Sequence, residues 1–566
     1  MSQGGLWISS QNGAPAGKEV LWKPGREGEC GRMLGFLSGF GGVGLVRDVS
    51  SFSLCRVRGV KRSPISRRWR QTGSPMCAAD RGTGDPDAKV VILMGSGADL
   101  EHCQKIADAA EALGIRTEMR IASAHKVPAT LLNVIKSYED DGIPKVYIAV
   151  AGRSNALSGV LDCAVTAPVV SCPPYSSAFG GTDLFSSIRM PGGVAPSLVL
   201  EPANAALMAA KILGVQNARI RANVGEFQLR NKFKLLFDDR NLTSKSYVPA
   251  LMRAETEGTI VVDTSALGQS AQEKRVGKVR DQYYFEDEVV LVTTDRQSAF
   301  DRVIASAPFK GQVLNLSSAW WFKLTEHIIP NHVISVPHPN VTVARKCKPF
   351  PIEFVVRGYI TGNTKTSLWV NYSNGVRNYC GVALPEDLEK HQKLPENILT
   401  PTTKEESGDR PISPTEIVSE GWMTQEDFDM CAKASMDIFR LGQEVAREHG
   451  LILVDTKYEF GVDAQGTIRL IDEVHTPDSS RFWMLHSYED RFRRGQDPEG
   501  LDKDYVRRYY QDRRDEQPLG AEIVVPPEVR CELARRYIMF YELMTGEDFL
   551  PDFSIIPNLD SLLPRK

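Results

Sequence analysis

The sequence predicts an α/β protein of two domains: an N-terminal three-layer domain built on a parallel sheet, and a C-terminal α+β domain. Two observations predict this. Between Lys89 and Leu213 short β-branched runs alternate with stretches whose apolar residues recur at helical spacing, the pattern of a parallel sheet covered by helices on both faces. Beyond Glu273 that alternation gives way to a hairpin pattern and later to two apolar strands ending in carboxylates. At 566 residues the chain is long enough for two or three cores. The patterns divide it into a leader at 1–85, a first domain at 86–240 and a second at 250–555.

Composition narrows the function. With 42% hydrophobic and 25% charged residues the chain is ordinary globular material. A formal net charge of -3 argues against a dedicated nucleic-acid binder, because neutralising a phosphate backbone takes a concentrated excess of Lys and Arg. Small anionic substrates remain open. The 10 Cys residues include no CxxC pair, which indicates neither a zinc ribbon nor a disulfide framework and points to a reducing compartment. No apolar run reaches the ~18 to 20 residues that span a bilayer, so a soluble protein with no membrane partner is expected.

In the leader, Ser50 to Ala79 holds seven Lys or Arg, six Ser and no acid, without periodicity. That is the composition of an organelle transit peptide, with a basic tail as the alternative. Cleavage is expected near Met76 to Ala79; Met33 to Val46 reads either as the apolar part of a bipartite leader or as the segment after a second start at Met33.

The first domain opens with a strand at Lys89 to Met94, a small turn Gly95-Ser96-Gly97-Ala98-Asp99, and a helix carrying Leu100, Cys103, Ile106, Ala107, Ala110 and Leu113. A strand at Thr117 to Ala122, a helix at Pro128 to Tyr138, strands at Lys145 to Ala151 and Pro168 to Cys172, and an Ala-rich helix at Pro202 to Leu213 follow. In such sheets ligands sit beyond the carboxyl ends of the strands. Three polar loops lie there: Gly95 to Asp99, Ser123-Ala124-His125-Lys126, and Ala151-Gly152-Arg153-Ser154-Asn155. Any one alone reads equally as helix capping or an exposed surface; three at one edge read as a site.

MGSGADL, IASAHKVP, AVAGRSNAL, PVVSCPP and SSIRMPGG, in this order, resemble the aminoimidazole ribonucleotide (AIR) carboxylase family over nearly the whole domain. The resemblance implies a flavodoxin-like sheet and carboxylation of C4 of the imidazole to carboxy-AIR (CAIR), with His125 shuttling the C4 proton beside Lys126. It implies that Ser96, Asp99, Ser123 and Lys126 hold the ribose phosphate and that Arg153, Ser154 and Asn155 line the carboxyl pocket. SAHK and AGRSNAL, with no second His in that loop, look like the animal-type branch, which takes CO2 as substrate and uses neither ATP nor biotin. Ala98 departs from the family, where a Ser commonly precedes the Asp. The family's carboxylases form octamers, so a homo-oligomer through this domain is implied.

Ile220 to Phe237 is amphipathic and could serve either domain or a subunit contact. From Phe237 to Glu273 the alternation lapses into a mixed stretch, DDRNLTSKSY and then SALGQSAQE, which places the boundary near 240 to 250.

In the second domain, Lys274 to Tyr284, a Phe-Glu-Asp-Glu turn and Val289 to Thr294 read as one hairpin. Lys278 and Arg280, two apart on its first arm after Gly277, would share a face suited to phosphates, or simply to solvent. Further on, Leu451 to Asp455 is a strand, with Lys457 and Glu459 on the same face as Asp455, and Thr467 to Ile471 leads into Asp472-Glu473. Carboxylates on adjacent strands are hard oxygen ligands for Mg2+, or an ordinary acidic surface. Asp478-Ser479-Ser480-Arg481 adds an anion-binding loop.

GKVRD, TDRQSAFD, PFKGQVLNLSSAWWF, FVVRGYITGN, ILTPTTK, LILVDTKYEFG and IDEVHTPDSSRFW resemble, in order, the SAICAR synthetase family, and TTDRQSAFDR and NGVRNYCG are nearest its plant form. The resemblance implies an ATP-grasp-like nucleotide site and ATP-dependent joining of L-aspartate to CAIR. Gly277, Lys278 and Arg280 would contact ATP; Glu459 and Asp472 would hold Mg2+. Asp301, Lys404, Lys457 and Arg481 match acidic and basic active-site positions, and Arg357 a substrate phosphate contact. Thr361-Gly362-Asn363 stands where the family usually has TGS. The two resemblances specify consecutive steps of purine synthesis on small-molecule substrates, AIR, CO2, L-aspartate and ATP. The alternatives are a first domain acting as N-carboxy-AIR mutase or as a non-catalytic scaffold. The plant-like second domain tilts localisation toward the plastid, with mitochondrion and cytoplasm as alternatives.

Overall fold

A computed structural model describes residues 88–299, 302–364, 366–405, 408–501, 505, 509, 513 and 525–563, all within one compact unit. The transit-peptide reading at 1–85 and the site residue Asp301 lie outside the described residues.

Five parallel strands form the first sheet: β1 (Lys89–Met94), β2 (Arg116–Ile121), β3 (Lys145–Val150), β4 (Val169–Ser171) and β5 (Ser197–Leu198). Their order is β2-β1-β3-β4-β5, the doubly wound flavodoxin-like arrangement. β1 and β3 are buried at every residue because alternate side chains feed two cores. Val90, Ile92 and Met94 pack against α1 (Leu100–Ala112) and α5 (Pro202–Leu213). Val91 and Leu93 pack against α2 (Pro128–Glu139) and α3 (Ala156–Ala164). The sequence reading has no helix between β3 and β4. α3 is short, carries Gly159, and leaves apolar Val160 and Ala164 exposed while burying Leu157 and Leu161, so its apolar residues do not mark one face in the sequence. A single turn, α4 (Phe185–Ile188), opens the SSIRMPGG segment.

The boundary expected near 240 to 250 is helical. α6 (Ala218–Thr243) runs 26 residues, is capped by Asn217, and passes through a 3-10 turn into α7 (Val248–Glu257). Its first turns give Ile220 and Val224 to the first domain's core; Leu229 and Phe233 join a cluster with Val454, Trp483 and Tyr488 of the second. Phe233 lies against Gly450, where φ is +79° and an added Cβ would sit 2.7 Å from the ring. Glu226 pairs with Arg447 across the joint.

The second domain is built on two antiparallel sheets. One runs β11-β12-β8-β7-β6. It comprises β6 (Glu273–Val276), β7 (Arg280–Tyr284), β8 (Glu288–Thr293), β11 (Val333–His338) and β12 (Val341–Arg345). A ribbon of β9 (Arg296–Ala299) and β10 (Arg302–Ser306) precedes α8 (Lys310–Thr325). The other sheet centres on β19 (Leu451–Asp463), which pairs with β13 (Cys347–Pro349), β14 (Ile352–Tyr359), β20 (Ile468–Ile471) and β21 (Ser480–Met484). β14 also pairs with β17 (Lys393–Leu399) and β18 (Thr402–Thr403). Phe354, Tyr458 and Phe460 form the main core with Phe428, Ile438 and Phe439 of α11 (Gln425–Glu448), after α9 (Leu368–Ser373), a ribbon of β15 (Asn378–Tyr379) and β16 (Val382–Ala383), and α10 (Pro414–Ser419). α12 (Leu485–Arg493) packs on α6, and the helix Pro527–Thr545 lies against α7 and α8. No described helix is long and apolar enough to cross a membrane.

The expected first hairpin arm, Lys274 to Tyr284, is two strands. Gly277 N donates to Arg280 O at 3.1 Å, and a Cβ at Gly277 would collide with that oxygen, so the chain turns there. Lys278 therefore stands on an exposed turn and does not share a strand face with Arg280.

Candidate functional site

The first site is made by strand register. Met94 of β1 is level with Ile121 of β2 and Val150 of β3, so the three loops that follow leave the sheet side by side. Gly95 brings the first and third together: a Cβ on it would lie 3.3 Å from Ala151 Cβ. Ser96 Oγ accepts from Ala98 N at 3.2 Å, and Ser123 Oγ accepts from Lys126 N at 3.3 Å, so both serines shape their loops. His125, Lys126, Arg153 and Ser154 are exposed at this edge. Arg153 adopts φ +60°, and its N–H donates to Asp183 Oδ2 at 3.3 Å.

Asn155, expected to line the pocket, is turned inward. It is 2% exposed; its amide donates to Ser171 at 2.8 Å and Ser187 at 2.9 Å, and its oxygen caps α3 at Ser158 N. It holds the loop and has no hydrogen left for a ligand. Asp99 is partly buried, which raises its carboxyl pKa, with nearby His102 opposing. His102 Nε2 lies 3.1 Å from Cys172 O and 3.4 Å from its Sγ. His102 and Asp183 were not singled out from sequence; the helical spacing of Leu100 to Leu113 hides the one, and the other has no motif of its own.

The second site lies across β7, β14, β19, β20 and β21. On β19, Asp455, Lys457 and Glu459 alternate on one face while Tyr458 and Phe460 enter the core. Pairing sets their neighbours: Asp455 is opposite Arg357 on β14 and Arg481 on β21, and Glu459 is opposite Ile471, just before Asp472. Lys457 Nζ lies 2.7 Å from Glu459, 3.3 Å from Glu353 and 3.6 Å from Asp472, and Lys404 also pairs with Glu459. Burial pulls the Lys457 ammonium down, but Glu459, Asp472, Glu353 and Glu473 outweigh it and hold it well above its ordinary value. Asp472, at φ +68°, is opposed by burial yet kept well below the usual carboxylate range by Arg280, Lys457 and Lys404. Burial raises Glu473 next to it.

Arg280, expected on ATP phosphates, has its guanidinium on carboxylates instead: Nη1 is 2.5 Å from Asp472 and Nη2 3.4 Å from Glu473. A largely buried cation at the first residue of β7 finds its partners beside the neighbouring sheet, which spacing within GKVRD does not reveal. Arg296 braces the Gly277 turn, donating to Gly277 O at 2.9 Å and pairing with Asp281 at 2.5 Å. Lys310, fully buried, reaches Asp478 at 2.6 Å, which also accepts from Tyr537. Arg357 and Arg481 stand 3.7 and 3.5 Å from Asp455 Oδ2, an atom that accepts no hydrogen bond. Two guanidinium groups thus converge beside one under-satisfied carboxylate, an arrangement suited to an incoming anion.

Residues 273–519 match the family model described as SAICAR synthetase, and residues 89–234 the one described as AIR carboxylase. A phosphoribosylaminoimidazole-succinocarboxamide synthase of Legionella pneumophila (strain Paris) is 57% identical over 292 residues, covering 51% of this chain and 93% of the relative. The chain belongs to the SAICAR synthetase family. The corresponding synthase of Arabidopsis thaliana, named chloroplastic, is 56% identical over 279 residues, 49% of this chain and 67% of its own. Among solved structures, SAICAR-synthase from Saccharomyces cerevisiae complexed with SAICAR is similar at 30% identity and TM-score 0.45, covering 51% of this chain and 99% of that one. Treponema denticola PurE is similar at 45% identity and TM-score 0.27, covering 27% and 98%. This SAICAR synthetase therefore also carries an AIR carboxylase domain, and both act in purine biosynthesis.

Proposed function

We propose that the first domain carboxylates AIR directly with CO2 and that the second joins L-aspartate to the resulting CAIR, converting ATP to ADP and phosphate. The first step is supported by the three loops gathered at one sheet edge with His125 exposed among them. C4 of the imidazole forms a bond to CO2, and His125 removes the C4 proton; an imidazole can take such a proton and return it on reversal. Ser96, Asp99, Ser123 and Lys126 orient the ribose phosphate, and Arg153 and Ser154 face the carboxyl group, with Asn155 holding their loop.

The second step is carried by the alternating Asp455, Lys457 and Glu459 on β19, which put cations and carboxylates on one face. The CAIR carboxylate attacks the γ-phosphorus of ATP, and the aspartate amine then displaces phosphate from the acyl phosphate. Glu459 and Asp472 are hard oxygen donors that one Lys457 ammonium touches together, a fit for Mg2+. When bound, Mg2+ would neutralise charge on the phosphoryl group. Gly277 and Lys278 face ATP from their turn, Arg280 orients Asp472, Lys404 and Lys457 meet the phosphoryl charge, and Arg357 and Arg481 hold the CAIR phosphate.

The basic leader and the chloroplastic relatives support import into the plastid, and exposed Tyr175, Phe185 and Ile188 support a homo-oligomer through the first domain. The deciding test is ATP-free, bicarbonate-fed carboxylation of AIR by the full chain and by His125→Asn. Activity in the first and a loss of at least about a hundredfold in the second is expected; an inactive wild type sinks the CO2-using reading.

A further inference from the structure

We propose that His391 is a positioning residue of the second site: it fixes the hydroxyl of Thr361, and with it the Thr361-Gly362-Asn363 turn that packs on Arg481. The inference rests on reading Arg481 as a contact of the CAIR phosphate. His391 bridges two groups, with Nδ1 2.9 Å from Thr361 Oγ1 and Nε2 2.8 Å from Asp497 Oδ1. Its main chain is tied on both sides, N to Ile360 O at 2.7 Å and O to the Tyr488 hydroxyl at 2.9 Å. It sits at φ +72°, which a β-carbon disfavours and which persists only where the surroundings impose it. The ring stands edge-on to Trp483, its side chain 12% exposed, and Thr361 is 3% exposed.

The hydrogen-bond direction follows from the partners. Asp497 is held below its ordinary range, first by its bond to His391 and also by Lys390, so it is an ionised acceptor. Nε2 must then carry the hydrogen, and Nδ1 accepts from the Thr361 hydroxyl. Burial keeps the ring below its ordinary value, with Asp497 opposing and Lys390 and Arg481 adding. A second proton on the ring would make Nδ1 a donor and force the Thr361 hydroxyl to rotate. The turn passes this on: a Cβ at Gly362, φ +105°, would collide with Ser367 and come within 3.5 Å of Arg481 Nη1.

The test is steady-state kinetics of SAICAR formation by the full chain, with CAIR, ATP and aspartate varied separately. His391→Gly relieves the backbone and removes the ring; its KM for CAIR should rise about three- to tenfold, the value of one such hydrogen bond, with kcat and the KM for ATP within about twofold. His391→Asn tolerates the left-handed backbone and returns an acceptor near the Nδ1 position, so it should recover most of that loss. The double variant with Thr361→Val should be no worse than either single one. The rise in KM for CAIR toward acid pH, shared with titration of the phosphate itself, should be shallower in His391→Asn. An unchanged KM for CAIR in His391→Gly, an Asn variant as impaired as the Gly one, or additive single effects would overturn the proposal. Arg481→Ala separates the two readings. If it leaves the KM for CAIR unaltered, the phosphate reading fails; if it raises that KM while His391→Gly does not, only the role of His391 fails.

Discussion

Glu459→Gln isolates the charge balance of the second site. Two ammonium groups rest on this carboxylate, Lys457 at 2.7 Å and Lys404 on the other oxygen. At an effective dielectric of about 20 a pair at that separation attracts by roughly 6 kcal/mol before desolvation. The lysine side chains are 31% and 35% exposed, and water offsets most of it, so the metal-free variant should lose only about 1 to 2 kcal/mol. The larger effect concerns Mg2+. A ligand present at about 100 times its Kd adds roughly 2.7 kcal/mol to the native state, which raises Tm by about 5 to 10 °C for a cooperative unit of roughly 250 residues. With Glu459 replaced, Asp472 is left as the one proposed ligand. Scanning calorimetry with Mg2+ and a non-hydrolysable ATP analogue should show less than about a third of the wild-type gain, with kcat for SAICAR formation down about a hundredfold. A full Mg2+-dependent rise in Tm, with a wild-type Mg2+ activation curve, would refute the assignment of Glu459.

Two further changes test the fold around the sites. Gly450→Val places a Cβ against the Phe233 ring at a residue with φ +79°, so the joint between α6 and β19 should weaken by about 2 to 4 kcal/mol in urea titration; an unchanged midpoint would mean the joint repacks freely. Asp141, paired with Lys89 at 2.6 Å and Lys145 at 2.9 Å, is opposed by burial but held well below its ordinary pKa by both lysines and the Ile143 N–H. A folded value below the unfolded one stabilises above the unfolded pKa of about 4 and is lost as pH falls toward the folded value. Asp141→Asn should therefore cost about 1 to 2 kcal/mol at neutral pH, and the gap to wild type should close in acid. A gap that is constant with pH contradicts the ion-pair account.

The first domain was legible because its signals are local. Each expected strand from Lys89 to Cys172 and the helices at Pro128 and Pro202 lie within a residue or two of their predicted limits, since β-branched runs and prolines at helix starts act on nearest neighbours. The face on which a polar side chain ends up was not legible. Asn155 and Arg280 stand in loops or strands rich in polar residues, and nothing in the spacing says that one spends its amide on Ser171 and Ser187 and the other its guanidinium on Asp472. Those partners are brought by the tertiary fold from 16, 32 and 192 residues away. The parity of Asp455, Lys457 and Glu459 was legible, because strand alternation is a property of the strand alone.

The joint is the opposite case. DDRNLTSKSY has the composition of a linker, yet its polar groups form a seam with the helix Pro527–Thr545: Arg240 and Tyr247 both bind Glu542, which is 2% exposed, and Arg535 reaches Asn241 and Ser244. A carboxylate that deep is tolerated only with such partners, because an unpaired one would cost several kcal/mol. Arg240, Asn241, Ser244 and Tyr247 are polar because the surface they meet is polar, and the meeting surface lies some 300 residues away. The apolar residues of α6 are shared in succession between two cores, Ile220 and Val224 with the first and Leu229 and Phe233 with the second, so its amphipathic pattern does not assign it to either domain. What reads as a mixed stretch at a domain boundary is thus a helix held at both ends, giving its first turns to one domain's core and its last to a polar seam with the other.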